Sequence, residues 1–475
     1  MRLSSKLAIP ILLALAVAPL LTAHRVLAHN QPSQDPSREP TPAGTGFTPP
    51  KVESATAAAA AMPFGPQLKE AVLKEVSNIV RGRAFAAGVD FNSWPDRLAK
   101  YQARLDAAAN EQAFTETLNQ AFREFGISHM HLQTPRAASQ RNKTSMIGIG
   151  VSLAPQPDGL QVLAVVPNAP AATAGIQPGE TITKVDGQKA DVPDGLRGDE
   201  GTTVTITVRN TDGVEREVVI TRKEFSTTRT DTLTWINDET AVLKVHTFAA
   251  GYSKRRIADL IKEASEKAKY LIVDLRDNGG GAVENLNQLL SHLLPPGTAM
   301  GTNVGRPLAS KFQQETGGDA TDPVAIANWA ESKVRTRARV DNRFEGKIAV
   351  LINRGSASAS EIAAAALRDC VDAKIIGSPT AGAVLVSTFV KLPGNFAMQV
   401  PLSEYVTIKG QRLEGNPVKP DVEIASAPRS RRNAAPATPA SEDLALQKAV
   451  EVLHTGLIEP IQAEGERAET QDNKK

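Results

Sequence analysis

The sequence predicts an α/β chain built of a helical segment, a β-rich unit and a larger α/β core, in that order. From Pro63 to Phe125, Leu68, Val72, Val76, Ile79 and Val80, then Leu98, Leu105, Phe114, Leu118, Phe122 and Phe125, recur at helical spacing. From Met146 to Arg222, apolar and polar residues alternate in short runs punctuated by Pro-Asn, Pro-Gly and Asp-Gly turns, which is strand patterning. From Phe225 to Ile424, short apolar runs alternate with amphipathic stretches, the pattern of a layered α/β core.

Ahead of these parts, Met1 to Ala28 carries Arg2 and Lys6, an apolar run from Leu7 to Leu21 and the small-residue pattern Val26-Leu27-Ala28. That is a secretory signal peptide, cleaved after Ala28 or Ala23. Its apolar run is interrupted by Pro10 and Pro19 and falls short of the ~20 residues of a spanning helix, so no stable membrane span is expected after its removal. The lone Cys370 makes no internal disulfide, which suits a bacterial exported protein, periplasmic or extracellular. Formal charge is +2 over 475 residues, and the only basic cluster, Arg429, Arg431 and Arg432, lies in a Pro/Ala-rich tail, so nucleic acid is not indicated as a partner. Residues 29–62 read as a flexible linker, and residues 426–475 as a second linker, a short helix from Ser441 to Leu453 capped by Ser441, and a charged tail.

The helical segment, residues 63–136, is expected to hold about three helices, broken near Gly88 and Pro95. It ends in Gly126-Ile127-Ser128-His129-Met130-His131-Leu132. The His-x-His pair reads either as one face of a surface strand or as half of a metal site. No second Cys/His/Asp cluster completes such a site, so neither metal nor cofactor is expected.

The β unit, residues 146–224, is expected to form about six short strands, among them Ile147 to Val151, Leu160 to Val166, Thr181 to Val185 and Thr203 to Val208. In the core, residues 225–425, the strand Tyr270 to Leu275 runs into Arg276-Asp277-Asn278-Gly279-Gly280-Gly281 and then a helix. Glycines between a strand and a helix present backbone N–H groups to a developing negative charge. The spacing matches neither phosphate-loop signature. Gly301 to Arg343 is poorly patterned and reads as a long excursion near the active site. A second strand, Lys347 to Asn353, enters Gly355-Ser356-Ala357-Ser358-Ala359-Ser360-Glu361 and a helix. Ser358 with Glu361 makes a capping box, so from this turn alone Ser358 is either a helix cap or an exposed nucleophile.

Two resemblances bear on that choice. Gly148-Ile149-Gly150-Val151 resembles the carboxylate-binding loop of PDZ domains, and Ala174 to Ile182 with Val185-Asp186-Gly187 resembles their central signature. The resemblance implies capture of a peptide's C-terminal carboxylate on successive N–H groups, with the peptide added as a strand. Between Gly187 and Leu196 the chain is too short for the helix that walls the family's groove, so binding at residues 148–151 is expected to be weak or absent.

The order of helical lead-in, PDZ-like unit, Asp274-Leu275-Arg276-Asp277-Asn278-Gly279-Gly280-Gly281 and Gly355 to Glu361 resembles the carboxyl-terminal processing peptidases, family S41. It implies a crotonase/ClpP-like α/β spiral core, a serine endopeptidase acting on protein or peptide substrates, and Ser358 as nucleophile. Where one branch has its lysine base, this chain has Ala383. The tricorn-like branch uses a Ser-His-Ser-Glu tetrad, matched here by Ser128, His129, Ser358 and Glu414, although Asn416-Pro417 stands where a Gly is usual. On this reading His129 takes the serine proton, Ser128 and Glu414 hold its tautomer, and N–H groups at Gly279 or Gly280 with Ala359 form the oxyanion hole. Two alternatives stay open: a lysine dyad using Lys374 or Lys391, and a non-catalytic binding or scaffolding protein that keeps the fold. Assembly into a homo-oligomer is left open as well.

Overall fold

The turn that carries Ser358 is reached from a largely parallel sheet whose strands bury both faces. In the computed structural model, which describes residues 62–425 and 443–456, the order is Thr232–Asn237, Thr240–Lys244, Tyr270–Asp274, Lys347–Ile352, Lys374–Gly377 and Val422–Glu423. Only the first pair is antiparallel. Runs such as Leu271-Ile272-Val273 and Ile348-Ala349-Val350-Leu351 are apolar without alternation because helices cover both faces of a parallel sheet. On one face pack Lys254–Lys267, Val283–Leu293 and the Ser358-capped helix Ala359–Val371. On the other lies the C-terminal helix Leu444–Thr455. The loops after Tyr270–Asp274 and Lys347–Ile352, neighbours in the sheet, therefore emerge side by side. The expected signal peptide, almost all of the expected first linker, the expected second linker, Ser441 and the expected charged tail lie outside the described residues. The short C-terminal helix begins at Leu444, with Asp443 rather than Ser441 as its cap.

A second sheet brings the histidine. The long strand Ala397–Thr407 pairs along one edge with Leu385–Lys391, and along the other with His131–Gln133 and Ala299–Gly305. The helical lead-in shares one core with this sheet: Leu68, Val72, Val76, Trp94, Phe114 and Phe122 pack with Leu385, Phe396, Met398 and Val400. Trp94 stacks on Phe122 with ring centroids 5.1 Å apart. Glu404, fully buried, accepts the Ala87 N–H at 2.8 Å and the Arg412 guanidinium at 2.7 and 2.8 Å, pinning the segments together.

The lead-in contains four α-helices rather than about three: Pro66–Gly82, Trp94–Ala99, Gln102–Ala107 and Glu111–Arg123. Pro95 does not break a helix but opens one, since the missing N–H costs nothing in a first turn. The stretch 301–343 also departs from expectation. It holds most of the strand Ala299–Gly305, then helices Arg306–Thr316 and Pro323–Trp329. Phe312, Ile326 and Trp329 from these helices cluster with Val406 and Phe85. Both helices are short and separated by Gly317, Gly318 and Pro323, so neither spans enough turns to display a clear period.

The β unit is a sheet in the order Val151–Gln156, Gly159–Val165, Thr181–Val185, Thr203–Arg209 and Glu215–Thr221, with its own core of Leu160, Val162, Ile182, Val204, Ile206 and Val208. The expected strand from Ile147 to Val151 is in fact two. Ser145–Gly148 pairs with Lys223–Ser226 in a separate ribbon, and Val151–Gln156 starts the main sheet. The break falls at Ile149-Gly150, where a Cβ on Gly150 would come within 2.2 Å of the Ala169 Cβ. Between Gly187 and Leu196 the only helical structure is the single 3-10 turn Pro193–Leu196.

Candidate active site

Ser358 sits between strand Lys347–Ile352 and helix Ala359–Val371 with φ 56° and ψ −115°, a conformation that non-glycine residues avoid. A bond network holds it there. The Ser358 N–H donates to Glu361 Oε2 at 3.0 Å, the Ala357 N–H to the Asn278 carbonyl at 3.1 Å, and Ser360 Oγ to that same carbonyl at 2.8 Å. Ser356 Oγ donates to the Leu275 carbonyl at 2.9 Å. Ser356 and Ser360 are fully buried and bonded to backbone, whereas Ser358 is partly exposed and its Oγ lies 3.1 Å from His129 Nε2.

His129 follows the lead-in, itself at positive φ, two residues ahead of the strand that pairs with Ala397–Thr407. Its Nδ1 is 2.7 Å from Ser128 Oγ, which donates to Glu414 Oε2 at 2.8 Å. A hydroxyl has one proton to give. With that proton on the carboxylate, Ser128 Oγ accepts from Nδ1–H, which leaves Nε2 unprotonated toward Ser358. Burial lowers the His129 pKa, and nearby His131 acts in the same direction against the opposing pull of Glu414.

Glu414 is buried and also accepts the Ser128 N–H at 2.8 Å and the Val384 N–H at 2.7 Å. Where a Gly is usual in the resembling family, Pro417 packs against Gly382, whose added Cβ would lie 2.9 Å from the proline Cδ. The Gly415 N–H closes this contact by donating to the Gly382 carbonyl at 2.9 Å.

Ala383 stands in the same loop, its N–H 2.9 Å from Glu361 Oε2. Glu361, read from sequence only as half of a capping box, takes four donors: Ser358 N–H, Gly382 N–H, Ala383 N–H and Thr380 Oγ1. Burial pushes its carboxyl pKa up, against the stabilisation its donors give the charged form. Loop 380–384 thus bridges two buried carboxylates, Glu361 bonded to the Ser358 N–H and Glu414 bonded to Ser128 beside His129. The missed signal was the downstream loop, since a cap motif says nothing of partners twenty residues away.

The glycine loop lies directly against Ser358. At φ 92°, Gly280 approaches so closely that a Cβ would be 2.7 Å from the Ala357 carbonyl oxygen and 2.8 Å from the Ser358 Cβ. Its N–H donates to Asn278 Oδ1 at 3.0 Å. The expectation that Gly280 is free as an oxyanion donor is corrected by that bond, which the fully buried Asn278 side chain makes to hold the loop. Gly279, one residue earlier, is exposed, and Ala359 is the first residue of the helix that follows Ser358.

The other candidates lie apart. Lys374 Nζ is paired with Asp372 at 2.8 Å, and Lys391 is exposed at the end of its strand, opposite Ala397. His131 packs edge-on against Phe389 at 6.0 Å. Among the described residues no three of His, Cys, Asp and Glu are grouped to hold a metal ion, and no helix is long and apolar enough to cross a membrane.

Comparison with known proteins adds the following. Residues 239–424 match the family described as Peptidase family S41, and residues 161–210 the family described as PDZ domain. A probable CtpA-like serine protease of Staphylococcus haemolyticus is 26% identical over 286 residues, 59% of this chain and 53% of its own. The chain thus spans about half the length of the curated relatives it matches. Among solved structures, a photosystem II D1 C-terminal processing protease aligns at a TM-score of 0.45 and 20% identity, over 78% of this chain and 98% of its own. The tricorn protease aligns at 0.44 and 17% identity, over 81% and 37%.

Proposed function

We propose, from the match of residues 239–424 to peptidase family S41, that the chain is an exported serine endopeptidase using a Ser128, His129, Ser358, Glu414 tetrad. The observation that carries the proposal is the unbroken hydrogen-bonded path from Ser358 Oγ through His129 and Ser128 to Glu414, with steps of 3.1, 2.7 and 2.8 Å.

As Ser358 Oγ bonds to the scissile carbonyl carbon, its proton passes to His129 Nε2. The carbonyl oxygen becomes an oxyanion, and the N–H groups of Gly279 and Ala359 are the pair assigned to it, each worth roughly 3 to 4 kcal/mol in the transition state. The His129 imidazolium, its Nδ1–H still held by Ser128, then protonates the leaving amine as the C–N bond breaks. An acyl-Ser358 ester remains. Water, deprotonated by the same Nε2, hydrolyses it. Substrates are proteins or peptides, and export rests on the Met1 to Ala28 leader.

Fluorophosphonate labelling followed by peptide mapping tests the reading. The label is expected on Ser358 and to be absent from the His129→Ala protein. A folded protein that takes no label, or takes it on another serine, overturns it.

The PDZ-like unit is expected to bind carboxylate-ended peptides only weakly, because the stretch between Gly187 and Leu196, where the resembling domains have the helix that walls their groove, holds one 3-10 turn, Pro193–Leu196. Titration calorimetry on the isolated unit from Thr144 to Thr227 with apolar-ended peptides measures this. Micromolar binding that disappears on C-terminal amidation contradicts it.

A further inference from the structure

Building on the peptidase reading, we infer that the C-terminal helix Leu444–Thr455 is a working part of the oxyanion loop, with Asp443 as a positioning residue that holds the loop through Arg276. Asp443 caps its helix, Oδ1 accepting the Leu446 N–H at 3.1 Å, and the same carboxylate receives Arg276 Nη1 at 2.9 Å on Oδ1 and 2.8 Å on Oδ2. Arg276 turns its other edge to Asp274, Nε to Oδ1 at 3.0 Å and Nη2 to Oδ2 at 2.8 Å. Lys244 Nζ completes the cluster, 3.0 Å from Asp274 Oδ1 and donating to the Arg276 carbonyl at 2.8 Å. The residue that opens the glycine loop is thereby gripped by both edges of its guanidinium and by its own carbonyl.

Two residues on, Asn278 carries this anchoring to the chemistry. Its Nδ2 donates to the Val245 carbonyl at 3.0 Å, its Oδ1 takes the Gly280 N–H, and its carbonyl accepts from Ala357 and Ser360 on either side of Ser358. Gly279 lies inside that braced segment, so the direction of its N–H depends on where Arg276 is held.

Apolar packing already docks the helix, through Ala445, Ala449, Val452 and Leu453 against Ile272, Ala349, Leu351 and Ile376. Docking alone would not require a charged pair at the helix's cap. The ion pair points at the loop, from a residue 167 positions along the chain from Arg276.

The test uses the full chain. Asp443→Ser keeps a good helix cap but removes the charge. Expected are a kcat lower by roughly ten- to hundredfold, the size of effect that a small misplacement of catalytic groups produces, an unchanged KM and little change in Tm. The affinity of a peptide aldehyde, whose tetrahedral adduct uses the same N–H donors, should fall by the same factor. Asp443→Glu should recover most of kcat. Arg276→Lys, which keeps the buried charge but cannot span both carboxylates, should reproduce the loss independently of the helix cap. An Asp443→Ser protein with wild-type kcat, or one whose loss follows its unfolded fraction, overturns the inference while leaving the peptidase reading intact. A wild-type chain that neither cleaves peptides nor takes a fluorophosphonate overturns both.

Discussion

Replacing Ser358 with Ala removes peptide hydrolysis by a factor on the order of a million, the loss expected when the members of a nucleophile and base unit act together. The size follows from the site's economy. Of the three serines on the turn, only Ser358 has its Oγ against an imidazole nitrogen, and the strained backbone that exposes it is held by Glu361 and by contacts with Asn278 and Gly280. Ser356 and Ser360 act differently. Their hydroxyls are donated to the carbonyls of Leu275 and Asn278, so Ser356→Ala and Ser360→Ala should keep most of the activity while lowering stability. Steady-state kinetics on a fluorogenic peptide check this. An active Ser358→Ala protein beside a dead Ser360→Ala protein would move the nucleophile by two residues and break the tetrad.

The second large effect is His129→Ala, with a loss comparable to that of Ser358→Ala. It should also change the pH profile. A base must be neutral to accept a proton, so kcat/KM falls as pH drops through the pKa of His129. Burial lowers that pKa and His131 lowers it further, while Glu414 opposes. The acidic limb should therefore be centred below the usual imidazole value of about 6.5, with a plateau across neutral pH. His129→Ala should abolish the limb with the activity. Glu414→Gln should cost less, because Glu414 orients through Ser128 and transfers no proton. Lys374→Ala and Lys391→Ala should leave rate and profile alone, since one lysine is paired with Asp372 and the other is exposed at a strand end. A His129→Ala enzyme that stays active with an unchanged profile would return the case to a lysine base.

The sequence by itself determined what is local. A run of Ile, Val and Leu ending in Gly-Ser-Ala-Ser-Ala-Ser-Glu specifies a strand, a turn and a capped helix through propensities that act over a few residues. The same holds for the glycine loop after Asp274 and for the short strands of the β unit, and it was the resemblance of these motifs to the S41 peptidases that named Ser128, His129, Ser358 and Glu414 as candidates. Only the tertiary structure decided which polar atoms meet. Ser128 and Glu414 are 286 residues apart in the chain, and their 2.8 Å bond exists because the lead-in shares a core with Leu385–Lys391, the strand that follows loop 380–384, and with Ala397–Thr407. That Gly280 spends its N–H on Asn278, that Glu361 braces the loop carrying Ala383, and that Asp443 reaches Arg276 have the same origin. Hydrophobic periodicity records which face of an element is buried and carries no information about which distant donor a buried carboxylate will find. That choice is made by packing, since a buried polar group left without a partner costs about 1 to 3 kcal/mol and the folded chain must supply one.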